Sequence, residues 1–258
     1  MLGAIVGDFI GSVHEFNAPK HKDFELVNPA CTVTDDSLLT VAVAEWLLDD
    51  INLTDRFHDL VAAYPGSGWG GMFYRWAQSR TREPYNSFGN GSAMRVSPVG
   101  WAFSSLEETI DAAGRSASVT HNHPEGIKGA QAAAAAIFLA RSSHDKAIIK
   151  NEITQRFSYH LDHSVDEVRP KYRFNETCQG TVPEAIIAFL DASDFEDALR
   201  NAVSLGGDAD TLACIAGGIA HAYYGCVPQD IADPALQSLP SALRGVWDRF
   251  RTQYHVPS

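Results

Sequence analysis

The sequence predicts an all-α fold, and three observations support that class. Hydrophobic residues make up 45% of the 258 residues, which is enough for a sizeable core. Small and apolar residues recur over long stretches such as Ala130–Ala140 and Leu212–Tyr224, as they do in closely packed helices. The alternation that is typical of strands is not sustained, and no hairpin dipeptide separates two apolar runs. We therefore expect a single compact multi-helix domain over residues 1–258, with roughly ten or more helices.

The predicted helices begin and end at recognisable signals. Residues 3–13 read as a short buried helix, with glycines at a spacing that lets another backbone approach closely. Asp35–Leu48 is the first long helix, and Leu212–Tyr224 is apolar nearly all round, which places it in the core. The other predicted helices are 53–64, 69–78 (or a turn), 106–117, 124–141, 146–157, 182–190, 194–203 and 242–254, while 13–31 and 84–98 are predicted to be irregular.

The charge of the chain argues against broad, sequence-blind binding of nucleic acid. The formal net charge is −12 and the pI about 5.2, whereas such binding depends on basic surface. The four cysteines form no CxxC pair and are predicted to be reduced thiols. The first residues lack the basic segment of a signal peptide, and no apolar run reaches the ~18–20 residues that span a bilayer. We expect a soluble, cytoplasmic protein without a membrane partner.

Two acidic segments stand at the starts of buried helices. Thr34-Asp35-Asp36 precedes the first long helix, and Asp208-Ala209-Asp210-Thr211 precedes the apolar helix near the C-terminus. Taken singly, each is typical of a helix N-cap, since carboxylates there gain about 0.3–1 kcal/mol from the helix dipole. If the two starts adjoin, four carboxylates meet at low dielectric and must take up protons or bind cations. Oxygen ligands of this kind suit Mg²⁺, Mn²⁺ or Ca²⁺, so we hypothesise a pair of divalent cations.

A glycine-rich segment, Gly89-Asn90-Gly91-Ser92, offers backbone N–H groups to an anion. A surface turn is the alternative, and the segment lacks the ending of a Walker A loop. The sequence leaves open whether Arg95 faces a phosphate or forms an internal ion pair. Core packing is the expected role of Phe88 and Trp69, with stacking on adenine as the alternative.

Other kinds of catalytic site find little support. His121-Asn122-His123 has no third histidine or cysteine at zinc-ligand spacing. No GxSxG-type elbow is present for a serine nucleophile. Glu15 by itself would be an ordinary surface carboxylate, but its place between a glycine-rich helix and a loose loop makes it a movable acid.

Five blocks of sequence together resemble the ADP-ribosylglycohydrolases. They are Gly7-Asp-Phe-Ile-Gly-Ser-Val-His-Glu15, Thr34-Asp-Asp-Ser37, Gly89-Asn-Gly-Ser-Ala-Met-Arg95, Thr120-His121 with Gly129-Ala130, and Gly206-Gly-Asp-Ala-Asp-Thr211, in the order seen in that family. The family includes the dinitrogenase reductase-activating glycohydrolase and the hydrolases of ADP-ribosyl-arginine and ADP-ribosyl-serine. Each block alone is weak, but the five in order span almost the whole chain. The resemblance implies a compact all-α fold and a binuclear Mg²⁺ site, with Mn²⁺ as the other candidate.

The resemblance also implies roles for individual residues. Glu15 resembles the family's mobile glutamate and, with Asp35, would manage the protons of the reaction. Ser37 and Ala209 depart from the threonines common in the family but leave the implied ligands intact. The implied metal ligands are Thr34, Asp35, Asp36, Asp208, Asp210 and Thr211. The implied substrate contacts are Gly68, Gly71, Gly89, Asn90, Gly91, Ser92, Met94, Arg95 and His121.

The activity implied by the resemblance is hydrolysis of the glycosidic bond between ADP-ribose and an acceptor, with an ADP-ribosylated protein as the expected partner. Arginine is the first candidate for the linkage, and serine or acetyl-ADP-ribose comes next. Three alternatives stay open. They are a catalytically silent relative that only binds ADP-ribose, an HD-type all-α phosphohydrolase using His144 and Asp145, and recognition of ADP-ribosylated nucleic acid, which the acidity disfavours.

Overall fold

Helices form nearly all the regular structure of the protein, whose computed structural model describes residues 1–257. That range contains no β-strand, although an isolated bridge joins Gly89 to Thr177. The all-α prediction is confirmed. The helices are α1 (Leu2–Gly11), α2 (Asp35–Asp49), α3 (Leu53–Ala63), α4 (Gly71–Gln78), α5 (Gly91–Met94), α6 (Val99–Ala102), α7 (Leu106–Ser118), α8 (Pro124–Ser143), α9 (Lys146–Phe157), α10 (Val165–Val168), α11 (Cys178–Leu190), α12 (Phe195–Leu205), α13 (Ala209–Tyr224), α14 (Gln229–Ser238) and α15 (Ser241–Gln253).

Helix α13 forms the centre of the core. It is buried from Ala209 to Ala222, as its apolar sequence predicts, and it packs against α1, α8, α11 and α12. Alanine and glycine cover much of its surface, so its neighbours approach closely. The helix ends at Gly225, whose positive φ of 73° suits glycine and lets its N–H donate to the His221 carbonyl.

Helix α1 runs antiparallel to α13 with the two backbones in direct contact. A Cβ at Gly3 would lie 2.9 Å from the carbonyl carbon of Gly217. A Cβ at Gly11 would lie 2.7 Å from the backbone nitrogen of Asp210. Since real Cβ atoms do not approach so closely, only glycine fits these positions. The C-terminal end of α1 therefore lies at the N-terminal end of α13, where the second acidic segment begins.

Helix boundaries differ from prediction where tertiary or capping contacts decide them. Helix α11 begins before the predicted Val182 because the Thr177 hydroxyl accepts a hydrogen bond from the Gly180 N–H and caps the helix at that point. The sequence does not predict α14, since Pro228 and Pro234 break its apolar period. The four-residue helices α6 and α10 are too short to give a periodic signal.

The four cysteines are free thiols in the described part of the chain, as predicted. Cys178 and Cys214 are buried and pack as small apolar side chains. The Cys214 thiol also lies 3.3 Å from the Met94 carbonyl oxygen, to which it donates, and so ties α13 to α5. Between residues 1 and 257, no helix is both long and apolar enough to cross a lipid bilayer.

We predict that Gly7→Ala lowers the free energy of unfolding by about 1–3 kcal/mol, because overpacking forces helices apart. The added methyl group would lie 2.7 Å from the Cys214 nitrogen and closer still to the Ala213 carbonyl. Thermal unfolding followed by circular dichroism measures the loss, at about 2–4 °C per kcal/mol for a chain of this size.

Gly245→Ala is the matched control for this substitution. Gly245 is exposed in α15, and within residues 1–257 a Cβ there meets no atom closer than 4 Å. Alanine should raise stability at this site by about 0.5–1 kcal/mol. Equal destabilisation by the two alanines would contradict the close packing of α1 on α13.

Candidate active site

A cavity of about 330 Å³ opens where the starts of α2, α5 and α13 converge. All but one of the predicted site residues line it. The exception is Ser92, whose hydroxyl donates to the Gly126 carbonyl at 2.7 Å in the interior. The lining residues from the sequence analysis are Glu15, Thr34, Asp35, Asp36, Gly68, Gly71, Gly89, Asn90, Gly91, Met94, Arg95, His121, Asp208, Asp210 and Thr211.

The two acidic segments meet in this cavity. Carboxylate oxygens of Asp8, Asp36 and Asp210 lie within 4.8 Å of one another, and so do those of Glu15, Asp208 and Asp210. All of these side chains are buried except Glu15, which is half-buried. The antiparallel packing of α1 and α13 explains the meeting, because it places Asp8 and Glu15 beside the start of α13.

Burial and mutual repulsion raise the pKa values of these acids. Burial raises the pKa of Asp8 to about 7, and the charge of Asp210 adds to the effect. Burial likewise raises the pKa of Glu15 to about 7, again with Asp210 contributing. The pKa values of the other acids also lie above their usual range, chiefly because of burial; these are Asp35, Asp36, Asp208 and Asp210.

Asp8 also belongs to the site, although the sequence alone does not predict it as a metal-binding or catalytic residue. It is fully buried. Its carboxylate accepts hydrogen bonds from the Thr34 N–H at 2.9 Å and hydroxyl at 2.6 Å, and from the Ser37 N–H at 3.1 Å and hydroxyl. Both oxygens are thus engaged, so Asp8 positions the start of α2. An aspartate inside an otherwise apolar helix is the sequence signal that could have identified it.

The chemistry of the cluster fits divalent cations. One buried oxygen of Asp36, Oδ1, has no hydrogen-bond partner among the described residues, and an unsatisfied buried oxygen requires a partner of another kind. Asp208 is oriented by Asn90, whose side-chain N–H₂ donates to its Oδ2 at 2.6 Å. Carboxylate and hydroxyl oxygens, with no cysteine or histidine ligand among these residues, are the donors that Mg²⁺ and Mn²⁺ bind.

The glycine-rich segment offers fewer free donors than the sequence predicts. The Gly89 N–H donates to the Ser87 hydroxyl at 3.1 Å, and the Asn90 N–H donates to the Glu176 carbonyl at 2.8 Å. The expectation of free N–H groups is therefore wrong for these two residues, because Ser87 and Glu176 already accept hydrogen bonds from them. Gly91 and Ser92 begin α5, and N–H groups in the first turn of a helix have no acceptor within it.

Arg95 lines the cavity and does not form the internal ion pair that the sequence offered as one alternative. It is fully buried, and no carboxylate of residues 1–257 forms an ion pair with it. Its Nη2 donates to the Ser116 carbonyl at 3.1 Å and to the Thr120 hydroxyl at 2.9 Å, while Nε and Nη1 have no acceptor in that range. Burial lowers the pKa of Arg95 to about 10, so it stays protonated at neutral pH. A cation without a counter-charge thus borders the cavity.

Thr120 links this arginine to His121. Its hydroxyl oxygen lies 2.7 Å from Nδ1 of His121. Since Arg95 already donates to that oxygen, the hydroxyl proton is available to Nδ1, and this favours the tautomer that carries its proton on Nε2. Burial, reinforced by the charge of Arg95, holds the pKa of His121 well below its usual range, so the ring is neutral. A Cβ at Gly91 would lie 3.4 Å from Nε2, so the N–H group borders the glycine-rich segment.

The two aromatic residues considered for stacking, Phe88 and Trp69, lie in different surroundings. Phe88 lines the cavity with 45% of its surface exposed, so the expectation of core packing is wrong for it. Its ring lies 5.2 Å from that of His123. Trp69 packs against Phe73 with ring centroids 5.7 Å apart, and its indole N–H donates to the Tyr64 carbonyl, as a packing residue would.

Comparison with known proteins decides the family. The family model described as ADP-ribosylglycohydrolase matches residues 1–255. The chain belongs to the ADP-ribosylglycohydrolase family. Membership in the ADP-ribosylglycohydrolases supports hydrolysis of an ADP-ribose linkage as the general activity. It also accounts for the order of the five blocks that the sequence shares with the family.

Individual relatives agree with this assignment. ADP-ribosylhydrolase ARH3 of Mus musculus is 27% identical over 87% of this chain and 82% of its own length. ADP-ribosylarginine hydrolase Tri1 of Pseudomonas putida is 28% identical over 62% of this chain and 42% of its own length. A solved structure described as an ADP-ribosylglycohydrolase-related protein complex shares the fold, with a TM-score of 0.73, 24% identity and coverage of 100% of this chain and 97% of that one.

His144 and Asp145, the residues of the HD-type alternative, lie outside this cavity. Both are exposed at the junction of α8 and α9. His144 ends α8 in a left-handed conformation, and the Asp145 carboxylate caps α9 by accepting hydrogen bonds from the N–H groups of Ala147 and Ile148. Helix capping accounts for both residues.

We predict that the metal-free protein loses stability as the pH rises from about 5 to about 8. Asp8 and Glu15 have folded pKa values of about 7, above the ~4 of the unfolded chain. The folded state therefore keeps protons that the unfolded state has released, and this contribution is lost as the pH passes 7. We expect a loss of at least about 1 kcal/mol, or about 2–4 °C in Tm.

Calorimetry with a chelator present measures this dependence. Asp36→Asn should reduce it, whereas Asp111→Asn, on the exposed side of α7, controls for the loss of a carboxylate elsewhere. Added Mg²⁺ should raise Tm more at pH 8 than at pH 5.5, because protons compete with cations for the same oxygens. A metal-free Tm that rises between pH 5.5 and 8 would contradict the clustering of these acids.

We predict that Asp8→Asn weakens Mg²⁺ binding by about 10- to 100-fold, as loss of an orienting partner does in metal sites. One amide oxygen in place of Oδ2 can still accept from the Thr34 and Ser37 N–H groups, but the amide N–H₂ in place of Oδ1 cannot accept from the Thr34 hydroxyl, and the negative charge is lost. Isothermal titration calorimetry measures the affinity, and circular dichroism checks that the variant is folded. Unchanged affinity in a folded variant would show that Asp8 does not position the first acidic segment.

Proposed function

We propose that this protein hydrolyses the glycosidic bond between ADP-ribose and a protein side chain, with two Mg²⁺ or Mn²⁺ ions as cofactors. One observation supports the proposal best: a crowded acid cluster and a buried, uncompensated arginine line the same cavity. Divalent cations would relieve the repulsion in the cluster, and the arginine favours an anion. ADP-ribose matches both, because it combines ribose hydroxyls that cations bind with a diphosphate.

The two acidic segments would hold the cations. The ions would supply positive charge that neutralises the carboxylates and attracts the oxygen atoms of a water and of the 2- and 3-hydroxyls of the distal ribose. Asp8 positions the first segment through Thr34, and Asn90 positions the second through Asp208. The proposed ligands are Thr34, Asp35, Asp36, Asp208, Asp210 and Thr211.

The remaining walls of the cavity suit the ADP portion. The first-turn N–H groups of Gly91 and Ser92 and the Nε2–H of His121 would donate to the diphosphate. The charge of Arg95 behind them would add long-range attraction. The exposed face of Phe88 offers a stacking surface to adenine.

Glu15 and Asp35 would donate and accept the protons of the reaction. Departure at the anomeric carbon develops oxocarbenium-like charge, and one carboxyl group protonates the leaving group while another aligns the attacking water. Both residues line the cavity, and Glu15 lies on the segment between α1 and α2, outside any helix. Its position after Gly11 keeps it within reach of the acid cluster.

Arginine is the first linkage to test, and serine and acetyl-ADP-ribose follow. A relative named as an ADP-ribosylarginine hydrolase supports this order. A silent protein that only binds ADP-ribose is the second candidate function, and the same assay separates it from the enzyme.

We predict that the protein with Mg²⁺ releases ADP-ribose from at least one of ADP-ribosyl-arginine, ADP-ribosyl-serine and acetyl-ADP-ribose. Asp35→Ala, Asp210→Ala and Glu15→Ala should each lower kcat/KM by about 100-fold or more, since proton transfer and metal binding are lost. A chelator should abolish release and Mg²⁺ restore it. Chromatography of free ADP-ribose gives the rate.

His144→Asn and Asp145→Asn serve as controls, because asparagine tolerates the left-handed conformation at His144 and can cap α9 at position 145. Both variants should keep full ADP-ribose release, whereas the HD-type alternative predicts that they lose phosphatase activity. Release that persists in all three active-site variants would contradict the proposal. Binding of ADP-ribose by the wild type without any release would identify a silent relative.

A further inference from the structure

An exposed aromatic pair borders the acid cluster and has no part in the function proposed above. Phe16 is 83% exposed and Phe174 is 46% exposed. Their ring centroids lie 6.0 Å apart and the rings are 21° from parallel. Large apolar side chains left together in water are typical of surfaces that a ligand or partner covers.

Residues close in sequence to each phenylalanine line the cavity. Phe16 follows Glu15 directly, Phe174 comes two residues before Glu176, and both glutamates line the cavity. A Cβ at Gly207, beside the second acidic segment, would lie 3.2 Å from the Phe174 Cα. The backbone of both residues therefore runs beside the acid cluster, where the scissile bond lies in the proposed reaction, while the two rings lie outside the set of residues that line the cavity.

The rim carries both acidic and basic side chains. Glu15 and Glu176 have no ion-pair partner among residues 1–257. The nearest basic side chains are engaged with backbone carbonyl groups. Lys20 donates to the Tyr172 carbonyl at 3.0 Å, and Arg173 donates to the same carbonyl at 2.7 Å. The carboxylate of Glu176 is therefore open to pairing with a cationic ligand.

We propose that Phe16, Phe174 and Glu176 form the subsite for the acceptor, and that the acceptor it recognises is the guanidinium group of an ADP-ribosylated arginine. The inference rests on the proposed function. A guanidinium is planar and cationic, so it stacks on aromatic faces and pairs with a carboxylate. A serine acceptor has neither property and would gain little from these three side chains.

The test compares two peptides of the same neutral sequence, one carrying ADP-ribose on arginine and the other on serine. The variant Phe16→Leu/Phe174→Leu keeps apolar volume but removes the aromatic faces. It should lose about tenfold in kcat/KM on the arginine peptide and less than about twofold on the serine peptide. Glu176→Gln should show the same selective loss, of about three- to tenfold.

Two controls accompany these variants. Ile148→Ala, at a hydrophobic residue that is 45% exposed outside the cavity, should leave both substrates unaffected. Free ADP-ribose should bind all variants within about twofold of the wild-type affinity by calorimetry, because the acceptor is absent.

The outcomes separate this proposal from the function on which it rests. Equal losses on both peptides would overturn the subsite and leave the hydrolase intact. If the wild type binds ADP-ribose but releases nothing, the proposed function fails. In that case the affinities of the two peptides for the protein are compared instead of the rates. Equal affinities of the arginine and serine peptides for the wild type would overturn the subsite. A wild type that does not bind ADP-ribose overturns both.

Discussion

The contact between α1 and α13 is the constraint on which the site depends. Glycines at positions 3, 7, 11 and 217 let the two backbones touch, and a Cβ at any of them would meet backbone atoms. This contact leaves no freedom to slide one helix along the other, because each glycine faces its own part of the partner. The register fixes Asp8 and Glu15 relative to Asp210, and so brings acids from opposite ends of the chain together.

The arrangement carries an electrostatic cost that the fold offsets only in part. The helix starts favour negative charge, and Thr34, Ser37 and Asn90 donate hydrogen bonds to the acids. The carboxylates nevertheless remain crowded and buried, and Asp36 keeps an oxygen with no protein partner in the described chain. A fold selected for stability alone would replace such a cluster with apolar residues. Its presence is therefore best explained by what it binds.

Local signals are strong enough to predict most of the helices and both acidic helix starts. Helix α9 begins and ends at the predicted residues because Asp145 caps it and polar residues follow it. The roles that depend on distant contacts could not be predicted. The Gly89 and Asn90 N–H groups are occupied by Ser87 and Glu176, and the sequence of the loop does not show this. Glu176 and Phe174 lie in a segment without periodicity, so nothing in it marks the rim of a cavity.

The cavity thus presents opposite charges to one ligand, and this constrains how the ligand lies. In the proposed reaction the diphosphate near Arg95 and the ribose hydroxyls at the acid cluster belong to one substrate, and both sets of residues line the same cavity. In that arrangement the acceptor would leave across the rim beside the cluster. Glu15 and Phe16 are consecutive residues, so the backbone that positions the proposed catalytic carboxyl group also positions one ring of the proposed acceptor surface. In the proposed reaction, a shift of this segment would therefore affect both proton transfer and recognition of the acceptor.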